Sequence, residues 1–95
     1  MGKKEIYKKK IKAELEKVSD NIYQLRVKGK IVNVEDEIEL YKQVEKLKAM
    51  RDLIGLELQE LKETEEDAWE YLEERIQNSM HDLKETLDLA VSRFR

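Results

Sequence analysis

The residue best placed to do chemistry is His81, the single histidine of the chain, with Glu85 four positions later. On a helix that spacing puts two side chains on one face, where they could touch a metal ion together. Two ligands do not make a site. A di-iron carboxylate bundle needs Glu-x-x-His on facing helices, and the residue three before His81 is Asn78. There is no cysteine, so thiolate ligands and disulfides are excluded. Ser19, Ser79 and Ser92 fall within helical patterns, without the sharp turn that presents a nucleophilic serine. The glycines stand at 2, 29 and 55, too far apart to cradle a phosphate. Carboxylates are abundant but lie mainly on polar helical faces, where solvation is their ordinary role. The reading is therefore a non-enzymatic chain with no metal or cofactor, and His81 exposed or at a rim.

Charge is arranged in blocks. Residues 3–12 hold six lysines against Glu5, whereas residues 57–74 hold nine acids against Lys62. A basic run can bind nucleic acid or an anionic membrane. With an acidic block in the same chain, mutual compensation is the simpler reading. Nucleic acid is disfavoured as a partner, because the run carries no aromatic beyond Tyr7 and the rest of the chain is acidic.

These residues must be positioned by helices. Ninety-five residues make one domain, here 1–95, with residues 1–3 expected to fray. Proline is absent and 43% of the residues are charged, a composition of long solvated helices rather than turn-rich sheets. The basic start has no apolar stretch behind it, and no window approaches a membrane span. A soluble cytoplasmic protein is expected.

Three apolar seams fix the fold class as all-α. The first is Ile11, Leu15, Val18, Ile22 and Leu25, which Tyr7 extends by one turn. The second is Leu40, Val44, Leu47, Ile54, Leu58 and Leu61, interrupted by Arg51. The third runs Trp69, Leu72, Ile76, Met80, Leu83, Leu87, Ala90 and Phe94. Steps of three and four place each set on one helical face. Trp69 and Phe94, at the ends of the third seam, read as core residues first and partner anchors second. Met50 and Met80 read as core fillers.

The first two seams differ in phase, since continuing from Leu25 reaches position 39 rather than Leu40. Gly29 and the β-branched Ile31, Val32 and Val34 lie between them, and Asn33 before Glu35 and Asp36 can cap a new helix. A loop near 28–33 follows. A second break falls near 63–67, where Thr64 or Glu66–Asp67 could start the last helix. The result is antiparallel coiled-coil helices at about 4–27, 34–62 and 66–93, an up-down-up bundle. Charge agrees with that topology: the basic start meets the acidic ends of helices two and three. At the other end, Arg26, Lys28 and Lys30 meet Glu35, Asp36, Glu37 and Glu39, while Arg93 and Arg95 close the third helix.

Ala68-Trp69-Glu70-Tyr71-Leu72, Asp82-Leu83-Lys84-Glu85-Thr86-Leu87, Ser92-Arg93-Phe94 and the IELYKQVEKL stretch resemble a family of short bacterial coiled-coil proteins. That family is common in cyanobacteria and labelled as stress-response proteins. The resemblance spans most of residues 5–95 and carries no catalytic residues. It implies a cytoplasmic, non-enzymatic protein linked to stress. Relatives are alanine- and lysine-rich where this chain has VKGKIVNV, which implies an alternative: one helix over 4–62, about 87 Å long, with 66–93 folded back over half of it. Both architectures predict self-association.

Three functions follow as expectations. The first is a homo-oligomeric structural or interaction protein of the bacterial stress response, with a further protein partner open. The second is an apolipoprotein-like binder whose Trp69–Phe94 stripe lies on lipid, against which residues 67–95 carry more acids than bases. The third, nucleic-acid binding through Lys3–Lys12, is the weakest.

Overall fold

The computed structural model describes residues 2–95, and they form three α-helices. These are α1 (Lys3–Lys28), α2 (Val34–Glu63) and α3 (Glu66–Arg93). The bounds expected from the seams differ from these by one residue at most. Of the stretch expected to fray, Met1 lies outside the described residues, Gly2 is the N-cap and Lys3 opens α1.

The long-helix alternative is overturned. The molecule extends 51 × 19 × 16 Å, with a radius of gyration of 15.4 Å. At 1.5 Å per residue, a helix over 4–62 would need about 87 Å. Local chemistry at residues 29–33 explains the break. The Gly29 N–H donates to Leu25 O at 2.8 Å and closes α1, while its own backbone turns extended, at φ −59° and ψ 133°. The Lys30 N–H then donates to Phe94 O at 2.7 Å, pinning the loop to the end of α3. Asn33, extended at φ −146°, caps α2 by accepting the Asp36 N–H at 2.8 Å. Asp36 reaches back and accepts the Val32 N–H at 3.3 Å. This reciprocal arrangement resembles a capping box and satisfies donors that a helix start leaves free. The break also resets the helical phase, so Leu25 and Leu40 both face inward.

Between α2 and α3 the chain turns in two residues. Thr64 is the C-cap, its hydroxyl donating to Glu60 O. Glu65 is the N-cap of α3 through its backbone carbonyl, which accepts the Ala68 N–H at 3.1 Å. The sequence pointed to the residues on either side of Glu65 instead. The Glu65 side chain makes no capping hydrogen bond, so the oxygen this residue brings to the start of α3 belongs to the main chain.

α2 is the spine, antiparallel to both neighbours, while α1 and α3 approach each other less. Ion pairing follows this order, and of the cations the sequence placed at the loop end, Arg93 is the one that pairs across helices among the described residues. Arg93 at the end of α3 forks onto Glu39 near the start of α2, and its guanidinium also lies 4.0 Å from Asp36. Arg26, Lys28 and Lys30 are not the cations that Asp36 and Glu39 take. At the other end the Lys4 ammonium donates to Thr64 O, a cation at the negative end of the α2 dipole. Lys84 and Glu14 link α3 to α1 at 3.7 Å.

Candidate interaction surface

The seams are closed within the single chain. Ile11, Val18, Ile22, Leu25, Leu40, Val44, Leu47, Ile54, Leu58, Leu61, Leu72, Ile76, Met80, Leu83, Leu87 and Phe94 are all buried, with Tyr7 and Ala90. Leu15, Met50 and Trp69 pack against this core half-buried. Leu15 stays partly open because the facing stretch of α2 offers Arg51 and Gly55. A Cβ at Gly55 would meet nothing within 4 Å. The outcome is a shallow groove of about 690 Å³ between α1 and α2, lined by Lys12, Glu16, Ser19, Asp52 and other residues. Arg51 crosses it toward Ser19 Oγ at 3.5 Å.

The Trp69–Phe94 stripe faces the core, so placing it on lipid would require the bundle to open. No helix among the described residues is long and apolar enough to cross a membrane. His81 Nε2 lies 3.4 Å from Glu85 Oε2, and both side chains are exposed. Among the described residues no three potential ligands gather as a metal site.

Two polar details escaped the seam pattern. Glu57, counted in the sequence with the solvated acidic block, is buried, and Arg75 of α3 reaches it with Nε 3.1 Å from Oε2. The same guanidinium takes Glu60 at 3.3 Å. The available signal was position: Glu57 immediately precedes the seam residue Leu58. The second is an aromatic pair. The Tyr7 and Trp69 rings meet edge to face, 6.2 Å between centroids, and the Tyr7 hydroxyl donates to Glu73 O at 3.2 Å. Burial, followed by the negative charge of Glu73, pushes the Tyr7 phenol up to about 12. The hydrogen bond from Arg93 holds the Glu39 carboxyl below its usual range.

What remains on the outside is more apolar than a closed bundle requires. At the α1–α2 end, Tyr23, Val27, Ile31, Val32, Val34, Ile38 and Tyr41 are exposed, Val32 by 84%. Farther along α2, Leu53 and Leu56 are exposed as well. At about 100° per residue, Ile38 and Leu56 point directly away from buried Leu47, with Tyr41 and Leu53 flanking that line. α2 is thus apolar on its inward face and partly apolar on its outward face. Single exposed apolar residues are ordinary; a row of them marks contact with another molecule. The sequence reading missed this row because it follows the seam most densely occupied by leucine. Its signal was Val34, Ile38 and Tyr41, spaced four and three but out of phase with Leu40.

No family model, curated protein or solved structure matches this chain. The likeness to stress-response coiled-coil proteins rests on the quoted motifs alone.

Proposed function

We propose that this chain is a non-enzymatic interaction module, working in the bacterial cytoplasm as a self-associating structural or docking protein. The observation that supports this reading is the exposed apolar row on the outward face of α2, continued by Ile31 and Val32 at the adjoining tip. Since the seams are satisfied internally, this outer surface is what another molecule would cover. Burying apolar surface is the main driving force for association. Membership of the stress response, which the resemblance implies, belongs to the same proposal.

The test has two parts. Cross-linking in the native host should yield self- or partner-linked species that Ile38→Ser with Leu56→Ser removes, while exposed Tyr71→Ser on α3 leaves them. Deletion of the gene should lower survival under at least one of heat, oxidative or osmotic stress. Cross-links unchanged by both surface variants, with survival unaltered, would sink the reading.

A further inference from the structure

The outward face of α2 has an internal symmetry. Ile38 and Leu56 lie nine residues either side of Leu47, Tyr41 and Leu53 six, and Glu45 and Ala49 two. The row 38, 41, 45, 49, 53 and 56 advances in steps averaging 3.6 residues, so it runs straight along the helix without drifting. All four large apolar members are exposed. Five residues either side of Leu47, on the same face, stand a cation and an anion, Lys42 and Asp52.

We propose that this face pairs with the same face of a second copy, the two α2 helices antiparallel about a two-fold axis opposite Leu47. This rests on the interaction-module reading and names its partner. An isologous interface requires a surface complementary to itself, in which residue i meets j and j meets i. Antiparallel alignment about Leu47 does this for three pairs. Ile38 meets Leu56 of the other copy, Tyr41 meets Leu53, and Lys42 meets Asp52, each pair occurring twice. Parallel alignment would instead set lysine against lysine and aspartate against aspartate. Near the axis Glu45 lies beside the small Ala49 of the other copy, which lets the helices approach. Lys46 and Lys48 fall at the edges of the face, and Lys48 already has Glu45 at 3.6 Å in its own chain. Asp52 keeps its neighbour Arg51 at 3.0 Å and remains open to a second cation.

A standard stable interface buries roughly 800 Å² per partner, and a single pair of helices is expected to bury less. The dimer is accordingly expected to be weak and to need concentrated protein to fill.

Sedimentation of the full chain between about 5 and 500 μM at low salt tests this. The wild type is expected to dimerise. Lys42→Asp or Asp52→Lys alone should weaken the dimer about tenfold or more, because two attractive pairs become repulsive. Both changes in one chain should restore it, and an equimolar mixture of the two single variants should form a heterodimer. Circular dichroism on each variant checks that these exposed substitutions leave the bundle folded. A wild type that stays monomeric over this range overturns the proposal, and so does a dimer indifferent to both single reversals or one not restored by the double change. A monomeric wild type would also remove self-association from the interaction-module reading, whereas its docking half is judged separately, by cross-links to another protein.

Discussion

Arg75 of α3 places its Nε 3.1 Å from Oε2 of Glu57, a carboxylate that α2 holds only 4% exposed. The other carboxylate oxygen, Oε1, has no hydrogen-bond partner among the described residues. Arg75 is therefore the group that makes a buried charge tolerable. Removing one partner of such a pair costs more than removing both, because the remaining charge is left buried and alone. Arg75→Ala is expected to lower the urea midpoint clearly. Glu57→Leu should change stability by no more than about 1 kcal/mol in either direction, and adding Arg75→Ala to it should cost little more. Equal losses for Arg75→Ala with and without Glu57→Leu would show that the pair is not coupled.

Gly29 is fixed by proximity. A Cβ built there would lie 2.6 Å from Leu25 O and 3.1 Å from a methyl of Leu40. The carbonyl belongs to the main chain and cannot move aside cheaply. Gly29→Ala should destabilise by about 1–3 kcal/mol, with small-angle scattering still giving a radius of gyration near 15.4 Å. The opposite result, a more stable and much longer particle, would mean that alanine lets α1 run into α2.

The seams made the three helices legible because steps of three and four need no tertiary information. The break at 28–33 was legible through Gly29, Asn33 and the phase change between Leu25 and Leu40. The architecture remained open between bundle and long helix, since the contact that pins the loop, Lys30 N–H to Phe94 O, joins residues far apart in sequence. Glu57 was illegible for a related reason: nothing near it announces that Arg75 will cross from another helix. The outward face of α2 was present in the spacing of Val34, Ile38 and Tyr41, but only the burial of Leu40 and Leu47 shows which of two overlapping rows faces out.

Tyr7 should set part of the alkaline limit of the fold. Its phenol is raised from 10.0 to about 12 by burial and the neighbouring Glu73. A raised pKa in the folded state means that the stabilisation is complete below pH 10.0 and is lost as pH climbs toward about 12. Above pH 10.0 the unfolded chain releases this proton while the folded chain still holds it. Tyr7→Phe should show a shallower fall in melting temperature across that window than the wild type does. Parallel curves would place the alkaline sensitivity elsewhere.

Trp69 contributes through its ring. Its edge-to-face contact with Tyr7 is formed, whereas its buried Nε1 has no partner among the described residues. Trp69→Phe removes an unsatisfied donor and keeps an aromatic edge. The expected change in unfolding free energy is within about 1 kcal/mol, against about 2–5 kcal/mol for Leu83→Ala in the fully buried core. A loss for Trp69→Phe as large as that for Leu83→Ala would mean that the indole N–H is bonded in solution.

The most direct measurement is the concentration dependence of amide chemical shifts in the uniformly labelled full chain, from about 20 μM to about 1 mM. Closed seams and an open outer face of α2 predict shifts concentrated around Ile38, Tyr41, Ala49, Leu53 and Leu56, with Ile22 and Leu83 unmoved. Shifts centred on the seam residues would mean that the helices exchange between chains, and a spectrum constant over the whole range would mean that the outer face of α2 meets no second copy.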